Sequence, residues 1–211
     1  MSIVVTGLPR SGTSMMMRML KEGGIPILTD NKRQSDERNP YGYFELEKVK
    51  YDLSWLNEAE EKAVKLVTML LRKLPSDRKF YVIFMERNIN EVVKSQKEML
   101  EKSGKEMKYP EEELEKIYLS HLKEIKQWIS EKDNLKVLYV SYNEVIENPK
   151  KIALKIKEFL GKDMNIEGMI KAVDKKLYRK KAKEENIEEK EVLKREDEEK
   201  IKEQLEALGY L

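Results

Sequence analysis

A short segment near the start of the chain combines two glycines, a proline, an arginine and three hydroxyl side chains. It reads Gly-Leu-Pro-Arg-Ser-Gly-Thr-Ser at positions 7–14, after the strand-like run Ile3–Thr6 and at the start of a helix-like segment. In that context the glycines allow close backbone approach, and the loop amides and the helix N-terminus point at one place. The segment predicts a phosphate-binding loop formed by Gly7, Pro9, Arg10, Ser11, Gly12, Thr13 and Ser14.

The cation of this loop differs from that of ATP-hydrolysing loops. In the sequence G-x-x-x-x-G-K-[ST] a lysine contacts the β and γ phosphates, whereas Thr13 stands at that position here and Arg10 is the nearby cation. Magnesium-dependent γ-phosphoryl transfer is therefore disfavoured. A P-loop kinase for a small molecule or nucleotide remains an alternative, with Glu86 as its single candidate magnesium ligand. A non-catalytic nucleotide-binding or scaffold protein is another.

Residues Pro9–Ser14 resemble the 5′-phosphosulfate loop of sulfotransferases, enzymes that use 3′-phosphoadenosine 5′-phosphosulfate (PAPS). That family also places an arginine at a strand end and a serine eight residues later, and Arg87 and Ser95 have this spacing. The resemblance implies that both bind the 3′-phosphate. An arginine at the carboxyl end of a strand lies where ligands bind in open α/β sheets, and its planar fork suits phosphate. Asn90 is predicted to cap the helix that carries Ser95.

Two further stretches are similar to the same family. Asn39–Glu45 resembles the Asn-Pro-x-Gly-Tyr-aromatic-Glu segment of bacterial members, and residues 142–161 resemble the penultimate strand–helix unit. The resemblance covers about residues 3–180. It implies sulfuryl transfer from PAPS to a hydroxyl or amine without a metal, with Arg10 neutralising charge at the 5′-phosphate. It also implies that Arg179, in a basic stretch, reaches the 3′-phosphate.

Sulfuryl transfer also needs a base that removes the acceptor proton. Cytosolic members of the family place a histidine just after the third strand, but no histidine lies near Val64–Val67 here. His121 lies in the middle of a predicted helix and is interpreted as an ordinary helix-surface residue. Glu45 is the first candidate for the base and Asp36 the second. The alternative for Glu45 is a helix N-terminal carboxylate that the macrodipole favours.

The alternation of apolar runs with helix-like segments predicts a three-layer α/β/α fold of the P-loop NTPase-like type, with a central parallel sheet of about five strands. The predicted strands are Ile3–Thr6, Ile25–Leu28, Val64–Val67, Phe80–Met85 and Leu135–Val140. The predicted helices are Gly12–Glu22, Glu45–Ala63, Asn90–Glu101, Pro110–Ser130 and one from Pro149, capped by Asn148, to Gly161. Lys175–Leu211 predicts a basic turn and a charged C-terminal helix, with partial disorder as the competing interpretation.

Composition limits the remaining possibilities. The length of 211 residues fits a single domain over residues 1–211. The absence of cysteine excludes disulfides, thiolate metal sites and a cysteine nucleophile. No membrane span or secretory signal is evident, so a cytoplasmic protein is expected. Charged residues make up 39% of the chain at a net charge of +2, which resembles thermophile surfaces and argues against a nucleic-acid partner.

Overall fold

Four strands form one parallel sheet in the computed structural model, which describes residues 1–36, 39–174 and 193–211. The strands lie in the order β2-β1-β3-β4, and Val4 of β1 lies opposite Val64 of β2 and Val82 of β3. These three valines are fully buried. The continuous apolar runs thus form a parallel sheet, as predicted. The strands are β1 (Ser2–Thr6), β2 (Ala63–Lys65), β3 (Phe80–Glu86) and β4 (Leu135–Ser141).

Helices follow the strands within the described part of the chain, which confirms the α/β class. The α-helices are α1 (Thr13–Glu22), α2 (Ile89–Lys102), α3 (Glu111–Ser130), α4 (Tyr142–Glu147), α5 (Pro149–Leu160), α6 (Ile166–Lys171) and α7 (Arg195–Ala207). Three short 3-10 helices occur in the described residues, and they are Glu47–Lys50, Ser54–Asn57 and Thr68–Lys73. No helix in the described ranges combines the length and the hydropathy that a membrane span requires.

The described residues form two compact units. The first comprises residues 1–86 and 133–174 and contains the whole sheet, whose core joins Ile3 of β1 to Met16 of α1 and Ile152 of α5. The second comprises residues 87–132 and 193–211, in which α3 packs against α2 and α7. Ile201 of α7 is fully buried, whereas residues 175–192 of the predicted C-terminal segment lie outside the described ranges. The expectation of a single domain stays a prediction.

The predicted strand Ile25–Leu28 contributes only a bridge between Ile27 and Ala63. The backbone N–H of Leu28 donates to the carbonyl of Ala63, and the N–H of Ala63 donates to the carbonyl of Pro26, both at 2.8 Å. Pro26 has no N–H to donate, so the ladder does not extend through it. The sheet accordingly has four strands in the described residues instead of about five.

The predicted helix Glu45–Ala63 is wrong, because two short 3-10 helices occupy this segment. Between them, Oδ1 of Asp52 accepts a hydrogen bond from the backbone N–H of Ser54 at 2.7 Å. An aspartate that binds the amide two residues later forms an Asx turn, which competes with helical hydrogen bonding. The apolar spacing was helical, but this local side-chain bond interrupts the helix.

Candidate active site

The loop between β1 and α1 needs glycine at two positions. Gly7 and Gly12 have φ of 151° and 98°. A Cβ on Gly7 would lie 2.7 Å from the carbonyl oxygen of Met85, and one on Gly12 would lie 2.4 Å from the ring of Tyr142. The loop also lies at the carboxyl end of β1, between β2 and β3, where the chain passes from one side of β1 to the other. Ligands bind at such a switch point in open α/β sheets.

Arg10 adopts a backbone conformation that is uncommon for a residue with a side chain. Its φ is 77°, in the left-handed region. The N–H of Ser11 donates to the carbonyl of Leu8 at 3.0 Å and closes the turn around it. Strained residues of this kind persist only where the surrounding structure fixes them, and they cluster at binding and catalytic sites. The backbone therefore supports a functional role for Arg10.

Two hydroxyl groups beside the loop are buried and have no hydrogen-bond partner among the described residues. They are Oγ1 of Thr6 and Oγ of Ser11, and Ser11 is only 2% exposed. A buried hydroxyl left unpaired costs about 1–3 kcal/mol. Phosphate oxygens accept hydrogen bonds from hydroxyls, so a phosphate in the loop would remove that penalty at Ser11. The residues present thus fit a phosphate group.

A buried lysine connects the loop to the segment after α1. Lys65, the last residue of β2, is 4% exposed, and its Nζ donates to Oγ of Ser14 at 3.4 Å, to the carbonyl of Tyr43 at 3.1 Å and to Oε1 of Glu45 at 3.2 Å. Lysine is seldom buried unless it is paired. Lys65 was not among the predicted site residues, although a lysine inside the apolar run Val64–Val67 was an available signal.

Two cations hold the carboxylate of Glu45. Nη1 of Arg33 donates to Oε1 at 3.0 Å and to Oε2 at 3.2 Å, while Lys65 binds Oε1. The 3-10 helix that follows begins only at Glu47, and no α-helix starts there. Ion pairs therefore hold this carboxylate, in place of the helix macrodipole considered as the alternative.

Asp36 belongs to the same connected group of side chains. Its Oδ2 accepts a hydrogen bond from the Tyr43 hydroxyl at 2.6 Å, and the Arg33 guanidinium carbon lies 4.0 Å from the centre of the Tyr43 ring. Tyr43 is buried. Glu45 and Asp36, the two candidate bases, therefore connect to Ser14 through one set of contacts, which we call the Tyr43 cluster. Its members are Arg33, Asp36, Tyr43, Glu45 and Lys65.

In the second unit, Arg87 precedes α2 and is held by an acidic partner. Its Nε donates to Oε2 of Glu91 at 2.8 Å, and Glu91 is only 3% exposed. Ser95 lies one helical turn beyond Glu91 and is half-buried, so these two residues share a face of α2. A carboxylate on Nε fixes the orientation of the guanidinium plane.

Comparison with known proteins supplies the family. The family profile described as the sulfotransferase domain matches residues 1–207. The chain belongs to the sulfotransferase family. It is accordingly a transferase by family, and the family predicted from the sequence is confirmed. The roles of the individual site residues stay predictions. Among curated proteins, none matches this sulfotransferase closely enough to count as a relative.

One solved structure, matched with a TM-score of 0.50, shows the same fold. The sulfotransferase domain from the curacin biosynthetic pathway matches with a TM-score of 0.50 at 14% identity, over 100% of this chain and 98% of that one. A sulfotransferase from Alicyclobacillus acidocaldarius gives 0.47 at 16% identity, over 78% and 84%. The mouse sulfotransferase SULT7A1 complexed with PAP gives 0.43 at 18% identity, over 81% of this chain. This sulfotransferase spans 62% of the mouse chain's length.

The helix that carries Ser95 is capped by a different residue from the one predicted. Asn88 is the N-cap of α2, and its side chain accepts a hydrogen bond from the N–H of Glu91 at 3.2 Å. Asn90 lies inside the helix, where its Nδ2 donates to Oε1 of Glu115 at 2.8 Å. Asn88 and Glu91 have the spacing of a capping box, in which the cap residue is followed by glutamate three residues later. This spacing was the signal in the sequence for a cap at Asn88.

The predictions for His121, Arg179 and the ends of α5 can be compared with the structure of this sulfotransferase. His121 is buried in α3, so its interpretation as a helix-surface residue was wrong. Arg179, predicted to reach the 3′-phosphate, lies outside the described residues. At α5, Gly161 has a φ of 62° and ends the helix as predicted, whereas Asn148 precedes it without a side-chain capping bond.

Proposed function

We propose that this sulfotransferase moves a sulfuryl group from PAPS to a hydroxyl or amine of a small-molecule acceptor. The observation that carries the proposal is the loop at Gly7–Gly12, in which two glycines leave no room for a Cβ and Ser11 keeps a buried, unpaired hydroxyl. Family membership supports transfer of a sulfuryl group. PAPS supplies that group with a 5′-phosphate as the leaving group.

The loop residues take the 5′ end of the donor in this proposal. Gly7, Pro9 and Gly12 shape the backbone so that its amides converge, and Ser11, Thr13 and Ser14 offer hydroxyls to the 5′-phosphate. Arg10 neutralises charge as it develops on the phosphate and on the bridging oxygen. Stabilisation of developing charge by fixed groups is commonly the largest contribution to such transfers.

The 3′-phosphate of the donor is assigned to Arg87, which precedes α2, to Ser95 of α2 and to Arg179 in the basic stretch of the sequence. Arg87 offers its guanidinium to the 3′-phosphate while Glu91 holds Nε, and Ser95 adds a hydroxyl. Arg179 contributes a further cation. Charge-assisted hydrogen bonds from arginine to phosphate are about twice as strong as neutral ones.

Glu45 is proposed as the base, with Asp36 as the second choice. A bond forms between the acceptor oxygen or nitrogen and sulfur, the bond from sulfur to the 5′-phosphate oxygen breaks, and the acceptor proton passes to the carboxylate. Lys65 supports this assignment because it binds Glu45 and Ser14 at once, which holds the carboxylate beside the loop. Asp36 accepts a hydrogen bond from the Tyr43 hydroxyl of the same cluster.

Exchange of the two carboxylates for amides should separate them. Glu45→Gln is expected to lower kcat by about 100-fold or more, the contribution typical of a positioned base. Asp36→Asn is the matched control and should lower kcat much less. A larger loss of kcat in Asp36→Asn than in Glu45→Gln would transfer the role of base to Asp36.

Nucleotide preference tests the function itself. Calorimetric titration should show tighter binding of adenosine 3′,5′-bisphosphate than of ATP with Mg²⁺, because the loop has Thr13 where kinases have lysine. Preference for ATP–Mg²⁺ would overturn the proposal in favour of a kinase. Tight bisphosphate binding without sulfuryl transfer to any member of a panel of phenols, alcohols and amines would favour the non-catalytic alternative.

A further inference from the structure

Three fully buried polar side chains meet in the described part of the second unit, one each from α2, α3 and α7. Gln96, Tyr118 and Gln204 are fully buried. Oε1 of Gln96 accepts hydrogen bonds from the Tyr118 hydroxyl at 2.9 Å and from Nε2 of Gln204 at 3.3 Å. A single side-chain oxygen on α2 therefore connects that helix to the other two.

Glutamine at position 204 is a poor choice for stability alone. Its Oε1 is buried with no hydrogen-bond partner in the part of the chain that the structure describes. An unpaired buried carbonyl opposes folding, and the neighbouring buried residues of α7, Ile201 and Leu205, are apolar. An apolar residue would avoid the penalty. Buried polar pairs that add little stability serve in some proteins to fix the register of packed helices.

The register of α2 matters because of the residues attached to that helix. Ser95 directly precedes Gln96, and Arg87 lies two residues before the helix begins. We infer that Gln204 and Gln96 are positioning residues for the 3′-phosphate, because they hold α2 at the rotation that presents Ser95 and Arg87. This inference rests on the proposed function and assigns the C-terminal helix a part in donor recognition.

The affinity ratio between two nucleotides isolates the 3′-phosphate. Calorimetry gives two dissociation constants, one for adenosine 5′-phosphate and one for adenosine 3′,5′-bisphosphate. We expect the first divided by the second to be about 100 to 1,000 for the unmodified chain. Gln204→Met, an unbranched apolar replacement, should lower this ratio by about threefold to tenfold. Its melting temperature should not fall, since the unpaired carbonyl is removed. Gln127→Met, at an exposed position of α3, is the control and should leave the ratio unchanged.

Each outcome decides one question. An unmodified chain that binds both nucleotides equally overturns the proposed function and this inference together. If the unmodified chain discriminates between the nucleotides and Gln204→Met keeps the same ratio, the positioning role alone is overturned. If the melting temperature of that variant also falls, Gln204 has a purely structural role. If Gln204→Met does not fold, Tyr118→Phe replaces it, since it removes only one hydroxyl from the same oxygen of Gln96. Its ratio must also fall for the inference to stand.

Discussion

Arg10→Ala is expected to lower kcat by about 100-fold to 1,000-fold, the loss typical when a group that stabilises developing charge is removed. The side chain is the cation of a loop that lacks the usual lysine, and its backbone is fixed at a φ of 77°. Steady-state transfer rates at saturating PAPS provide the measurement. The melting temperature should change little, because alanine at position 10 would have the same left-handed backbone conformation and the same conformational strain as arginine.

Arg10→Gly separates the side chain from the backbone. Glycine adopts the left-handed conformation without strain, so this variant keeps the loop shape while it lacks the cation. It should lose as much activity as Arg10→Ala. Arg78→Ala, an exposed arginine in the first unit, is the control for loss of positive charge. An Arg10→Gly enzyme that retained its rate would show that the cation is dispensable.

Arg87→Ala is expected to weaken binding of adenosine 3′,5′-bisphosphate by about 100-fold, because it removes the charge-assisted, two-pronged contact with the 3′-phosphate that we propose for Arg87. Affinity for adenosine 5′-phosphate, which has no 3′-phosphate, should stay the same. Calorimetric titration of both nucleotides is the measurement. Stability should also fall, by about 1.5–3 kcal/mol, since the buried Glu91 loses a charged hydrogen-bond partner.

The loss of stability at Arg87 requires its own control. Glu91→Gln removes the charge of the same pair from the other side and leaves Arg87 in place. This variant should bind the bisphosphate more tightly than Arg87→Ala does when both are measured well below their melting temperatures. Equal affinity of Arg87→Ala and the unmodified chain for the bisphosphate would refute the assignment of Arg87 to the 3′-phosphate.

Local patterns predicted the parts of the fold that local chemistry determines. Continuous apolar runs identified the four strands, and two glycines between a strand and a helix identified the loop. The turn at Asp52 was missed because one side-chain bond to the N–H of Ser54 outweighs the helical spacing around it. The strand predicted at Ile25–Leu28 failed for a comparable reason, since Pro26 has no amide hydrogen to donate.

Contacts between distant positions were beyond what the sequence could predict. Lys65 and Ser14 are 51 residues apart, and their hydrogen bond exists only because β2 lies beside β1. Gln96 and Gln204 are 108 residues apart. The sequence identified Glu45 as a candidate base. Its ion pairs with Arg33 and Lys65 could not be predicted, because they depend on the tertiary fold.

The burial of Lys65 has a practical consequence for chemical labelling. Amine-reactive dyes and crosslinkers require an accessible, unprotonated amine, and this lysine is 4% exposed with its Nζ directed to three acceptors. The many exposed lysines should react first, so moderate labelling will immobilise or tag the enzyme without touching this amine. Slow modification of Lys65 would then report transient opening of the segment that covers it.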